Sequence, residues 1–186
     1  YPIVMGWQWG GGWLAELGFS DFAGSTLVHS TGGAAALAGA MIIGPRLGRF
    51  TKSGAPAPLK PFAASSIPLV TIGVFILWLG WFGFNGGSQL AMGTAVDAIA
   101  VSTIFMNTFL AGAGGVIGAA IITRLHFGKT DVVQMLNGCI GGLVAVTAEP
   151  LAPSPFAAIL IGAVGGLIVV YGTKLLFSLK IDDVVG

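Results

Sequence analysis

The sequence predicts an all-α, polytopic membrane protein, in which apolar helices form a bundle with short connections. Of the 186 residues, 55% are hydrophobic and only 8% are charged, whereas a soluble domain has about 25% charged residues. Five apolar stretches approach or exceed the length of about 20 residues that a spanning helix needs. Glycine contributes 31 residues without a collagen-like period, and glycine lets membrane helices approach closely. We therefore interpret residues 1–186 as a single transmembrane domain.

The predicted spans are separated by connections with polar, proline and glycine residues. In order, the spans cover residues 22–44, 62–84, 99–123, 132–148 and 156–178. The fourth span is the weakest, because it is short and contains Gln134 and Asn137. Pairs of glycines four residues apart predict tight helix contacts in the second to fifth spans. These pairs are Gly83/Gly87, Gly114/Gly118, Gly138/Gly142 and Gly162/Gly166.

The charged residues predict the orientation of the helices. When the connections are assigned alternately to two sides, all eight Lys and Arg residues fall on one side, which the positive-inside rule makes the cytoplasm. We therefore expect a multi-pass protein of the cell membrane, with residues 46–60, 124–131 and 174–186 cytoplasmic. The outer side has no basic residue and four acidic ones, namely Glu16, Asp21, Asp97 and Glu149. An acidic mouth favours a cation, although the positive-inside rule alone also leaves acids outside.

Composition and motifs exclude several classes of protein. A formal net charge of +1 without a basic, aromatic-interleaved cluster argues against nucleic-acid binding. A single cysteine, Cys139, excludes an internal disulfide and a CxxC motif. The sequence has no paired intramembrane carboxylates, no HExxH zinc motif, no Ser-His-Asp arrangement and no phosphate-binding glycine loop. We therefore predict that the protein is not an enzyme, with no catalytic residues, no metal site and no cofactor.

The segment DFAGSTLVHST, residues 21–31, places a histidine inside the first apolar span. Eight helical residues at 1.5 Å each would put His29 about 12 Å deeper than Asp21, within the hydrocarbon. A charge there is costly and ionisable residues within membranes are usually functional, so we expect a neutral imidazole with a role in the pore. The alternative is a histidine that only bonds a neighbouring helix. Asp21 has an alternative role as the N-cap of the span.

Aromatic residues concentrate on the predicted outer side. All five Trp residues fall there, and none falls on the inner side. A lipid-facing aromatic belt would be expected at both interfaces, so this asymmetry favours an aromatic vestibule whose ring faces can hold a small cation. A belt remains the alternative for Trp7 and Trp13. In LWLGWFGFNGGS, the aromatic residues of the second span alternate with glycines, and we expect Asn85 and Ser88 at the outer rim.

These motifs resemble the ammonium transporter family, which includes the Amt, Mep and related Rh proteins. DFAGSTLVHSTGGAAALAGAMIIGPRLGRF is similar to the family's signature helix, and GWFGFNGGS and WGGG match two further family motifs. The resemblance extends over the whole chain. It implies part of an eleven-helix, inverted-repeat fold, from roughly the end of helix 4 to helix 9, and a homotrimer with one pore per subunit. The start at Tyr1, without Met, likewise leads us to expect a fragment of a longer protein.

The resemblance also assigns roles to the matched residues. Trp9 and Ser88 would form the outer recruitment site for NH4+, and Asp21 would support recruitment and deprotonation. NH3 would then pass through a narrow apolar pore. The residues that would line this pore are His29, Phe84 and Trp81. Methylammonium would serve as a substrate analogue, and the bilayer and a cytoplasmic regulatory protein are the other expected partners.

A second pore histidine is expected beyond the last residue of the chain. Asp183–Gly186 repeats the Asp-x-x-Gly pattern of Asp21–Gly24, and inverted repeats that meet at a central site are a recurrent transporter plan. By this register the second histidine should lie eight residues after Asp183, at about position 191.

Two other functions fit the same motifs. An ammonium sensor would have this membrane domain joined to a cytoplasmic signalling module, and a C-terminal soluble domain would distinguish it from a transporter. A gas channel of the Rh type is disfavoured by Trp9 and Ser88, which suit the recruitment of a cation.

Overall fold

The computed structural model describes residues 1–50 and 62–182, and helices dominate these residues. Two short helices, α1 (Pro2–Gln8) and α2 (Trp13–Glu16), precede a π-helical turn, Ser25–Ser30, which continues directly into α3 (Thr31–Ile43). Four further helices follow, namely α4 (Ile67–Gly87), α5 (Ala95–Phe127), α6 (Val132–Val146) and α7 (Pro155–Ser178). The predicted all-α fold class is confirmed for this part of the chain.

The helices match the predicted spans in position but not always in length. Four are long and apolar enough to cross a membrane: Ser25–Ile43, α4, α5 and α7. At 15 residues, α6 is shorter than the roughly 20 residues of a typical span. With 33 residues, α5 begins earlier and ends later than predicted. It starts at a capping box formed by Thr94 and Asp97, and it ends at Gly128, whose φ of 72° favours glycine.

Glycines bring α5, α6 and α7 into backbone contact. A Cβ atom on Gly162 would collide with the backbone of Ala111, and one on Gly166 would collide with the carbonyl of Gly115. Close contacts of the same kind surround the other glycines of the predicted pairs in these helices, namely Gly114, Gly118, Gly138 and Gly142. For the first predicted pair, the Cβ positions of Gly83 and Gly87 have no described atom within 4 Å, so a tight contact at this pair stays a prediction.

The fourth helix packs against this three-helix unit with its aromatic face. Val74 and Trp81 of α4 form a core cluster with Cys139 and Leu143 of α6. Trp78 stacks on Phe109 of α5 with ring centroids 5.4 Å apart. Trp78 therefore belongs to a helix interface, not to an outer vestibule.

Among the described residues, the helix that contains His29 is held mainly at its two ends. Before it, the backbone N–H groups of Phe22 and Ala23 donate to the carbonyls of Ala148 and Thr147, at 2.7 and 3.1 Å. After it, Arg46 contacts Asp182, which follows α7. The two links lie at opposite ends of α3, so the end of α7 and the end of α3 share one side. This agrees with the alternation from which the orientation was predicted.

The link after α3 is a buried ion cluster. Asp182 is 2% exposed and accepts from Nε of Arg46 at 2.7 Å and from Nε of Arg49 at 3.1 Å. The hydrogen bond from Arg46, together with the charges of both arginines, lowers the pKa of Asp182 to about 2 against its burial. The guanidinium of Arg49 also lies 4.5 Å from the centroid of the Phe177 ring.

Parts of two predicted cytoplasmic segments lie outside the described residues. These parts are 51–60 and 183–186, and the second contains the whole Asp183–Gly186 repeat.

Candidate functional site

A turn around the Asp21 carboxylate leads into the helix that contains His29. Oδ1 accepts from the backbone N–H groups of Gly24 and Ser25 at 3.0 and 2.9 Å, and Oδ2 accepts from those of Thr26 and Leu27, both at 2.8 Å. The first amides of a helix lack intrahelical partners and favour a negative group. Asp21 supplies that group and is only 1% exposed.

The position of the helix start differs from the prediction. The cap residue is Gly24, whose φ of 106° suits glycine, and helical structure begins at Ser25 instead of at residue 21 or 22. The 12 Å depth of His29 assumed eight α-helical residues after Asp21, whereas only residues 25–29 of that stretch lie in a helix, and that helix is a π-helix.

The helical segment that contains His29 is a π-helix. The N–H of His29 donates to the carbonyl of Gly24, five residues earlier, at 3.0 Å. Such segments interrupt the regular α-helical pattern and occur frequently at functional sites. The wider turn thus coincides with the residue that the sequence marked as functional.

Three side chains predicted to line the pore meet in one aromatic cluster. The ring of His29 stacks on that of Trp81, with centroids 4.8 Å apart and planes inclined by 21°. Phe84 lies 5.3 Å from His29 and 6.1 Å from Trp81, between ring centroids. Nε2 of His29 is buried and has no hydrogen-bond partner among the described residues. The position of this imidazole is therefore set by ring contacts.

The hydroxyl of Ser88 makes one hydrogen bond within the fold and can accept another. Ser88 follows α4 and donates its hydrogen to the carbonyl of Phe84 at 3.0 Å. A hydroxyl has one hydrogen and two acceptor lone pairs, so Oγ can still accept a hydrogen bond from a ligand. Phe84 itself is 39% exposed.

The indole nitrogen of Trp9 is bonded to the turn at Asp21. Its Nε1–H donates to the backbone carbonyl of Asp21 at 2.7 Å, and its ring lies against Gly24. Because the N–H is occupied, the ring face is what Trp9 can offer to a ligand. Within the described ranges, no hydrogen bond or ring contact joins Trp9 or Asp21 to Ser88. The structure thus brings together the three residues predicted to line the pore, and among the residues predicted to recruit NH4+ it joins Trp9 to Asp21.

A buried polar network behind Trp81 was missed by the sequence analysis. Nε1–H of Trp81 donates to Oγ1 of Thr147 at 2.8 Å, and Oγ1 of Thr147 lies 3.2 Å from Oδ1 of Asn85. Nδ2 of Asn85 donates to Oγ1 of Thr108 at 3.0 Å. Asn85, which we had expected at the outer rim, is 0% exposed. Its partners come from α5 and from the end of α6, so no local motif signals the network.

Comparison with known proteins agrees with the resemblance noted in the motifs. The model of the Ammonium Transporter Family matches residues 1–186. The chain belongs to the ammonium transporter family. The ammonium transporter Amt2 of Archaeoglobus fulgidus is 43% identical over 196 residues, a region that covers 100% of this chain and 40% of Amt2. The chain therefore spans about two fifths of the length of such a relative.

Solved structures of the family share the fold. A protein named Sensor Amt Protein superposes with a TM-score of 0.83 at 37% identity, covering 94% of this chain and 41% of its own. Mep2 of Candida albicans gives a TM-score of 0.81 at 32% identity, covering 95% of this chain and 37% of its own. The helical arrangement described above is thus that of Amt and Mep proteins.

Proposed function

We propose that the full-length protein transports ammonium across the cell membrane by recruiting NH4+ on the outer side and conducting NH3 past His29. The observation that carries this proposal is the cluster of His29, Trp81 and Phe84, in which a buried imidazole nitrogen has no described partner. The cluster lies where two membrane-length helical segments meet. Family membership supports ammonium as the substrate.

Recruitment of NH4+ uses two groups that remain able to bind a cation. The ring face of Trp9 attracts a cation through its quadrupole, since the indole N–H is held by the carbonyl of Asp21. Oγ of Ser88 accepts a hydrogen bond, since its own hydrogen is donated to Phe84. In the predicted orientation, these groups lie on the outer side of the membrane, which has no Lys or Arg. This charge distribution raises the local concentration of cations.

Asp21 acts in this scheme by positioning. Both carboxylate oxygens accept backbone N–H groups, so they fix the turn that carries Trp9 on one side and leads to His29 on the other. The substrate meets the surfaces that this turn orients. The NH4+ gives its proton to water before the apolar part of the pore, because an ion there costs several kcal/mol or more. In this proposal the proton crosses by a separate polar path and rejoins NH3 on the inner side, so that transport carries a current.

Within the aromatic cluster, the neutral imidazole of His29 suits NH3. It provides one donor and one acceptor, which match a neutral molecule able both to donate and to accept. The assembly we propose is a homotrimer with one pore per subunit, with methylammonium as an analogue and a cytoplasmic protein as regulator.

Ammonium-evoked current in proteoliposomes containing the full-length protein tests the proposal. We expect a saturable current with the wild type, and we expect Ser88→Ala to raise the apparent KM about fivefold, the equivalent of one hydrogen bond of about 1 kcal/mol. Ser102→Ala is the matched control, because the Ser102 hydroxyl likewise donates to a carbonyl four residues earlier, that of Ala98. Absence of both current and methylammonium uptake would contradict transport.

An ammonium sensor is the second candidate. It is favoured by the similarity to the protein named Sensor Amt Protein. A full-length protein that binds methylammonium but passes neither substrate, and that has a soluble C-terminal signalling domain, would be a sensor. Transport by the wild type would favour the first candidate.

A further inference from the structure

We propose that Thr147 is a positioning residue for the ammonium path, holding both the Trp81 ring and the turn that precedes His29. The inference deepens the proposed function and rests on it. Thr147 follows α6 and is 0% exposed. Neither the motif comparison nor any contact with His29 singles it out, because it acts through the two elements that it joins.

The side chain of Thr147 fixes Trp81. Oγ1 accepts the indole N–H of Trp81 at 2.8 Å and lies 2.7 Å from the carbonyl of Leu143 and 3.2 Å from Oδ1 of Asn85. Either oxygen can accept its single hydrogen. Oγ1 of Thr147 is therefore held within α6 and linked to α4, and the plane of the indole is defined by a hydrogen bond as well as by packing.

The backbone of the same residue fixes the other side of the cluster. The carbonyl of Thr147 accepts from the N–H of Ala23 at 3.1 Å, and the next carbonyl, that of Ala148, accepts from Phe22 at 2.7 Å. These amides lie inside the Asp21–Gly24 turn, which leads directly into the π-helical segment. One residue thus sets the distance between the start of the His29 helix and the Trp81 ring.

This connection matters because the described contacts of the His29 ring are aromatic. Its Nε2 has no described hydrogen-bond partner, and its ring lies 4.8 Å from Trp81. A small rotation of the indole about its side-chain bonds would displace the surface on which the imidazole stacks. Misplacement of a reacting or guiding group by about 1 Å can cost a large factor in rate.

Thr147→Val tests the side-chain half of the proposal, because it keeps the shape of the side chain and the backbone carbonyl but removes the acceptor. Thr123→Val is the matched control. Thr123 is also 0% exposed, and its hydroxyl donates to the carbonyl of Ala119 at 2.7 Å on α5, away from Trp81. Thr147→Ser restores an acceptor at the same position.

Two readouts on the full-length protein separate positioning from general damage. The first is ammonium current per protein: we expect Thr147→Val to lower the maximal rate about tenfold, the effect of losing one buried hydrogen bond, with the KM within about twofold. The KM should stay nearly unchanged, because no described hydrogen bond joins Thr147 to Trp9 or Ser88. The second is the indole N–H resonance of Trp81, assigned by its absence in Trp81→Phe, which should move in Thr147→Val only.

The outcomes decide the proposal in either case. The proposal is supported if Thr147→Val lowers the maximal rate and shifts the resonance. Thr147→Ser should then restore both, and Thr123→Val should change neither. An unmoved resonance in Thr147→Val, or an equal loss of rate in Thr123→Val, overturns it. If the wild type passes no ammonium, the proposed function fails separately, and the resonance alone then decides whether Thr147 positions Trp81.

Discussion

The three-helix unit of α5, α6 and α7 and the helix that contains His29 are held in different ways. In the apolar, membrane-length part of α5, 50% of the residues are buried among the described residues, whereas in that of Ser25–Ile43 only 6% are buried. Backbone-to-backbone contacts at glycines hold the unit where residues 111–119 of α5 meet residues 138–142 of α6 and 159–166 of α7. Among the described residues, the His29 helix is held at its ends, namely by the Asp21 turn and the Asp182 cluster, and between them by the buried side chain of Leu27 and one stacked ring.

This difference separates rigidity from function within one small chain. Close-packed interiors resist displacement, because every change of volume is felt by the neighbours. A helix held at its ends by polar contacts places one side chain accurately through those contacts. Loss of a single one of them should therefore move His29 while the three-helix unit stays intact.

The same substitution should cost much more stability in the three-helix unit than in α3. We expect Gly162→Ala to destabilise the full-length protein by about 3 kcal/mol or more, because the new Cβ overlaps the backbone of Ala111 and overpacking of a rigid contact is costly. Gly39→Ala in α3 should destabilise much less, because no described atom lies within 4 Å of the new Cβ and alanine favours a helix by roughly 0.5–1 kcal/mol over glycine. Unfolding in detergent measures both. Equal losses at the two sites would break the comparison.

Removal of the Asp21 carboxylate should loosen the start of the His29 helix. In Asp21→Ala, four backbone N–H groups lose their acceptor, and we expect a local cost of about 2 kcal/mol, the upper end for a lost cap. Hydrogen exchange at residues 24–27 should accelerate accordingly, with little change in α5. Asp131→Ala is the control, since Asp131 accepts a single amide, that of Gln134, at an exposed cap. A larger effect there would contradict the account.

The other end of the helix should respond to acid. The pKa of Asp182 is lowered to about 2, so its contribution to stability is present above the ordinary Asp pKa of about 4 and is lost as the pH falls towards 2. We expect the wild type to lose up to about 2 kcal/mol more than Asp182→Asn between pH 5 and pH 2. Denaturant unfolding at the two pH values measures this. Parallel losses in both proteins would mean that the cluster does not hold α3.

Periodicity and composition predicted the parts of the molecule that depend on local sequence. The apolar runs gave five helices at nearly the right places, and three of four glycine pairs lie at backbone contacts. The long α5 was underestimated, because its ends depend on the Thr94 capping box and on Gly128. The pair Gly83 and Gly87 contacts no described atom, and its role in helix packing stays a prediction.

The site could be predicted only as single residues. His29 was marked by its position in an apolar run, and the motifs indicated Trp81 and Phe84. Their contact could not be derived, because it depends on how the Asp21 turn and α4 meet. The partners of Trp81 lie 66 residues away at Thr147 and, through Asn85, at Thr108. Asp21 was expected at the mouth, but four amides hold its carboxylate inside the turn.

The central claim is that His29 lines the path of ammonium, and one pair of variants tests it directly. Ammonium current per full-length protein should be measured in proteoliposomes for His29→Leu and for His126→Leu. His126 is the only other histidine in this chain and is exposed at the end of α5, 3.4 Å from Oη of Tyr171. We predict at least an about tenfold loss of current for His29→Leu and near wild-type current for His126→Leu. An undiminished ammonium current in His29→Leu would contradict the account.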